Sequence, residues 1–279
     1  MAVDLEQFLK DLNKIASKLK AYEKFIEHSR LEDSYERSRM LSELEGLIKN
    51  QSIRNILNGS SLLITFDNFL AQEREKIAQE QEEFHFNLSL KLAERLSGFG
   101  ELKGQLPILR IKYYTLKFNF NAGTVSLWWG PEKELIKNLP LNLDLISETI
   151  KKFDSGLQSR WRSYVEFYEL LKNAYNRYLI FNNLSWGEKV NLLEILRELV
   201  MLSQSKAFWI NPIKNNFREY SRISFSYDLY RLKIIPEFAQ KFQLAVATFA
   251  LTENKGRSIW IPDNDLGGGT HYSTIAFQQ

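Results

Sequence analysis

The chain has 279 residues, 44% hydrophobic and 25% charged, which excludes disordered and collagen-like classes and leaves length for one large or two modest cores. With no cysteine it has no disulfide and no thiolate nucleophile or ligand, which suits a reducing compartment. The net charge of +3 is too small to imply a polyanion partner by itself, but residues 206–233 hold six basic groups against Glu219 and Asp228, and 101–130 hold four against Glu101.

No window approaches the roughly 20 apolar residues of a membrane span, and "MAVDLEQFLKDLNK" lacks the apolar run of a secretion signal. A cytoplasmic protein without a membrane partner is therefore expected. Leu5, Phe8, Leu12, Ile15, Leu19, Tyr22 and Ile26 recur at alternating spacings of three and four, the seam of a coiled coil or a long bundle helix. Asp4 with Gln7 resembles a cap at its start. Ser29 with Glu32 reads as a capping box for a second helix carrying Leu41, Leu44, Leu47 and Ile48. "NQSIRNILNGSS" reads as its fraying end and a turn.

A third helix is expected over Phe66 to Phe84. Its stripe of Phe66, Leu70, Ile77 and Phe84 is interrupted by Glu73 and Glu80, which predicts partial solvation. "FHFNLSLKLAERL" alternates like a strand, yet its Lys, Ala, Glu and Arg favour continuing the helix. From about 104 to 130 β-branched and aromatic residues dominate, and Asn121-Ala122-Gly123 supplies a turn, so a β-hairpin or small sheet follows. Glu132 and Glu134 then read as acids at a helix start, complementing its dipole, rather than as a catalytic carboxylate pair.

A second seam runs through Ile146, Ile150, Phe153, Leu157, Trp161, Tyr164, Tyr168, Leu171, Tyr175 and Tyr178, with one slip beside Gly156. It predicts a helix over 145–180, bent at that slip, whose bulky seam suits a broad surface better than a dimeric zipper. Ser185 with Glu188 is expected to open an apolar helix running through Leu202. Beyond it "RISFSYDLYRL", "FQLAVATFALTE", "RSIWIP" and "HYSTIAF" read as strands. The fold class is thus α+β: a long-helix framework with a hairpin or small sheet near 104–130, and a C-terminal lobe of helix plus antiparallel strands. A division near 183 separates 1–183 from 184–279.

The stretch "PDNDLGGGTH" joins two of those strands. Its spacing fails the twelve-residue calcium loop, since positions five and twelve from Asp263 are Gly267 and Thr274. It fails the phosphate loop too, because no Lys-Ser/Thr pair or helix follows the glycines. Turn chemistry accounts for the Pro, Asn, Asp and Gly content, so a glycine-rich hairpin connection is expected. The functional alternative is a divalent-ion site of Asp263, Asp265 and His271, serving a metal-dependent hydrolase or nuclease. His28 and His85 belong to no metal or catalytic spacing, and no nucleophile-elbow or kinase motif is present.

The basic islands point elsewhere. In "RIKYYTLKF" strand alternation places Arg110, Lys112 and Tyr114 on one face. "KAFWINPIKNNFREYSR" mixes Lys206, Lys214, Arg218 and Arg222 with Trp209, Phe217 and Tyr220. Cations beside exposed rings grip single-stranded nucleic acid through phosphate attraction and base stacking; the competing account makes the rings core and the cations its border. The expectation is a non-catalytic interaction subunit of a cytoplasmic assembly, using no cofactor. It would bind a protein partner or itself through the helical seams and touch nucleic acid through these surfaces.

Overall fold

The first seam folds as α1 (Leu5–Ile26) in the computed structural model, which describes residues 5–58, 60–253 and 256–278. The cap expected at Asp4 lies outside the described residues, as does the side chain of Glu32. Ser29 acts differently from the expectation: its hydroxyl donates to the Ile26 carbonyl behind it. The turn into the next helix is instead closed by the Arg30 N–H donating to Asp33 at 2.8 Å. After a 3-10 turn at Leu31–Asp33 come α2 (Ser34–Ile48), α3 (Gln51–Leu57) and α4 (Ser61–Arg95). The α3 segment was expected to fray. Ile53 is 1% exposed in the shared core, so burial outweighs a polar, turn-like sequence.

The 35 residues of α4 continue through the ambiguous "FHFNLSLKLAERL" as a helix, about 52 Å long at ~1.5 Å rise per residue. Helical spacing decides the matter, because Phe84, Leu88 and Leu92 are buried while Phe86 and Leu90 face outward.

Five strands follow: β1 (Leu102–Gln105), β2 (Ile108–Ile111), β3 (Tyr114–Asn119), β4 (Thr124–Trp129) and β5 (Glu134–Pro140). They form one antiparallel sheet in sequential order. The expected helix start at Glu132 and Glu134 is corrected here. Glu132 sits in a turn at φ 55°, and Glu134 begins β5.

The long helix expected over 145–180 is two helices, α5 (Leu143–Gln158) and α6 (Tyr164–Phe181). The break falls after Gly156, where Ser163 takes an extended backbone and its side chain accepts the Val165 N–H, capping α6. The aromatic seam lies on a broad internal surface, as its bulk implied. Tyr168 stacks on Phe238, and Tyr175 contacts Trp186 and Phe277.

Only half of the Ser185–Glu188 box forms, the Glu188 carboxylate accepting the Ser185 N–H at 3.0 Å, and the helix opens later. β6 (Val190–Asn191) intervenes, and Asn191 caps α7 (Leu192–Leu202) by accepting the Leu193 N–H. Next are α8 (Lys206–Ile210), α9 (Arg222–Ile234), α10 (Pro236–Ala239), β7 (Phe242–Val246) and α11 (Phe249–Thr252). The chain closes with β8 (Ile259–Pro262) and β9 (Gly269–Phe277). "RISFSYDLYRL", read as a strand, is α9. Residues 223–230 are all buried, so apolar and polar positions alike face the interior and alternation carries no strand signal. In the second sheet β9 pairs antiparallel with β6, β7 and β8.

The chain divides into two compact units: Met1–Gly98 with Phe118–Val125 and Leu139–Ser147, and Phe99–Lys117 with Ser126–Asn138 and Glu148–Gln279. In the first unit the core is the α1 seam packed on α2, α3 and α4 through Ile15, Tyr22, Leu41, Leu44, Ile48, Leu70 and Ile77. Glu73 and Glu80 are not the solvated interruptions that their charge suggested. Buried Arg37 of α2 bonds both, at 3.3 and 2.5 Å, and Tyr22 donates to Glu73 at 2.7 Å.

The second unit centres on rings: Trp129 lies 4.7 Å from Tyr113 and 6.0 Å from Trp260 between ring centroids. Gly130 and Gly269 press against Trp260, where an added Cβ would come within 2.6 and 2.2 Å of its ring. Gly269→Ala is therefore expected to lower stability by about 1–3 kcal/mol through overpacking, read from the urea midpoint of tryptophan fluorescence.

Candidate nucleic-acid interface

Residues 205–218 leave the second unit's core and return to it. Gln204, 8% exposed, ties the two ends together: its amide donates to the carbonyls of Val200 (2.7 Å) and Arg218 (3.0 Å), and its oxygen accepts the Arg218 N–H at 2.9 Å. Ser205 caps α8 by accepting the Phe208 N–H. Asn216 donates to the carbonyls of Asn211 and Ala207, and Phe208 makes edge contacts with Trp209 and Phe217. These bonds brace the excursion from within, a compact surface loop shaped by its own side chains.

Its outer face is apolar and basic. Trp209 is 55% exposed, Ile210 75%, Ile213 47% and Phe217 39%. Lys206, Lys214 and Arg218 are exposed, and none has an ion-pair partner among the described residues. Of the two accounts weighed from the sequence, the one with rings as core and cations as border does not describe Trp209 and Phe217. Ile210 and Ile213 were missed as surface residues, since nothing in an apolar sequence marks it as outward-facing.

The other expected contacts fall elsewhere. Arg222 is structural: its guanidinium donates to Glu134 at 2.6 Å and to the Ser258 carbonyl at 2.9 Å. Arg110, Lys112 and Tyr114 do not share one exposed strand face, which corrects the reading from alternation. Lys112 turns at φ 47° between β2 and β3, and resetting the chain there buries Tyr114 while leaving Arg110 exposed.

"PDNDLGGGTH" is the hairpin connection between β8 and β9, with Pro262 opposite Gly269. Asp263 accepts from Lys233 at 2.8 Å and from Thr270 at 2.7 Å, contacts that hold its carboxyl below the usual range although burial opposes them. Asp265 accepts the Tyr230 hydroxyl at 2.9 Å, and His271 Nδ1 lies 3.4 Å from Ser258 Oγ. Burial, with Lys133 and Arg222 nearby, pushes the His271 imidazole toward its neutral form. Each of the three residues thus has a protein partner, and among the described residues no three His, Asp, Glu or Cys side chains converge as metal ligands would.

Comparison with protein-family models, with curated proteins and with solved structures finds no match. The assignment of a role therefore rests on the chemistry of the surface. No helix among the described residues is long and apolar enough to cross a membrane.

Proposed function

We propose that this protein is a non-catalytic interaction subunit of a cytoplasmic assembly that contacts single-stranded nucleic acid through residues 205–218. The observation that carries the reading is the exposure of Trp209 and Phe217 beside Lys206, Lys214 and Arg218, cations that have no carboxylate partner among the described residues. Rings offer a stacking face to any base, and unpaired cations attract phosphates, so the surface suits a strand without demanding a sequence. The helical first unit supplies the scaffold. Its seam residues Ile15 and Tyr22 are buried within that unit, so a protein partner would use another face.

The test is anisotropy of a fluorescent single-stranded oligonucleotide at rising salt. Three phosphate contacts predict a slope of about −2 in log affinity against log salt. Trp209→Ala is expected to weaken binding by about 1–3 kcal/mol, the range of one base stack. No binding at low salt would remove the nucleic-acid reading.

A further inference from the structure

The turns joining β2 to β3, β4 to β5, and β8 to β9 surround a cavity of about 250 Å³ in the second unit. Arg110 and Lys112 line it, with no carboxylate among the lining residues. Most other polar groups there are already engaged. The hydroxyls of Tyr113 and Tyr114 both donate to Asp154 Oδ1, at 3.0 and 2.9 Å, and Thr115 donates to the Gly130 carbonyl. Within the glycine loop, Asn264 accepts the N–H groups of Leu266 and Gly268, so these amides do not form a phosphate cradle.

What remains for a ligand is the Arg110 guanidinium, which has no ion pair among the described residues. The Lys112 ammonium is engaged behind the cavity, 4.0 Å above the Phe99 ring centroid and ion-paired with buried Asp154 at 3.7 Å. The triple glycine explains why the space is open. A side chain at 269 would strike Trp260, and one at Gly267, with φ 96°, would lie 2.9 Å from the Lys112 carbonyl. Trp260 and Pro131 supply the apolar wall.

We propose that this cavity binds a phosphomonoester of about the size of a mononucleotide. Such a group carries about −1.5 to −2 charges at neutral pH and presents three oxygens, which suits an unpaired guanidinium fork better than a singly charged carboxylate does. The volume falls just below the roughly 300–1,000 Å³ typical of drug-sized ligands, which fits one sugar phosphate with a flat apolar body rather than a dinucleotide. The same chemistry is presented by a free nucleotide and by the phosphorylated 5′ end of a strand. The site shares no residue with the proposed strand surface.

Calorimetric titration of the full chain at low salt with adenosine 5′-monophosphate and with adenosine tests it. The monophosphate is expected to bind and adenosine to give no heat. Arg110→Glu, on an exposed side chain, is expected to keep the native circular dichroism spectrum and to weaken monophosphate binding by about tenfold or more. Trp209→Ala is expected to leave that affinity unchanged, which separates this site from the strand surface. A 5′-phosphoryl oligonucleotide that outcompetes its 5′-hydroxyl form, with the advantage lost in Arg110→Glu, assigns the strand end as the source. Monophosphate binding without that preference assigns the free nucleotide. Equal heats for monophosphate and adenosine, or an Arg110→Glu variant that binds as wild type does, would overturn the proposal.

Discussion

Arg37→Ala is expected to destabilise the first unit by about 3–5 kcal/mol, measured as a loss of helical circular dichroism at lower urea. The guanidinium is 3% exposed and is shared by Glu73 and Glu80, themselves 17% and 19% exposed. Removing it leaves two half-buried carboxylates about two turns apart on α4 without the cation they share, and the large effect comes from that orphaning rather than from the bonds lost. A quadruple variant, Tyr22→Phe and Arg37→Met with Glu73→Leu and Glu80→Leu, removes the orphans as well, including the buried hydroxyl that bonds Glu73. It is expected to return to within about 2 kcal/mol of wild type, because apolar replacements of buried ion networks are commonly neutral or stabilising. If Arg37→Ala and the quadruple variant prove equally unstable, packing of the long Arg37 side chain, and not charge, holds α2 against α4.

Asp228 sets the second expected result, a stability that depends on pH through one residue. It is fully buried on α9, where its Oδ2 accepts from Trp161 at 2.8 Å and Tyr220 at 2.6 Å, while Oδ1 has no hydrogen-bond partner among the described residues. Burial raises its pKa from 3.8 to about 6, against the opposing pull of Trp161, Tyr220 and Arg160. The folded state therefore keeps this proton in a window where the unfolded chain has released it. The stabilisation is complete below 3.8 and is lost as pH rises through about 6. That gap corresponds to about 3 kcal/mol. Asp228→Asn should lack this component, gaining on wild type by about that amount between pH 4 and pH 7.5 in paired urea titrations. Parallel curves for the two proteins across that range would show that Asp228 is not the titrating group.

The parts of the fold that were legible in the sequence are those where one face is wet. α1 and the C-terminal half of β9 each repeat between buried and more accessible positions, and their spacing declares the element. α9 was misread because Ser226, donating to the Trp260 carbonyl, and Asp228, held by Trp161 and Tyr220, are polar residues satisfied inside. Counting them as exposed turned a helix into an apparent strand. The same assumption made Glu73 and Glu80 look solvated, since their partner Arg37 lies on another helix, 36 and 43 residues away. Of the basic islands, the second was recognisable as a cluster of rings and cations. Its exposure was not, because exposure depends on Gln204 closing the excursion against Arg218. The first island divided at Lys112, where one positive φ undoes the alternation that the residues around it suggest.

The last strand gives this chain a timetable. β9 is the common neighbour of β6, β7 and β8, so Val190 must wait for Ile275 before its ladder forms. On a ribosome, β6, β7 and β8 emerge with their edges open until the nascent chain passes residue 277, and ladders joining such distant positions close slowly. Arrest of translation just before β9 should leave a lobe that collapses and recruits chaperones, whereas the locally wired α1–α4 bundle has every partner it needs while synthesis is still under way.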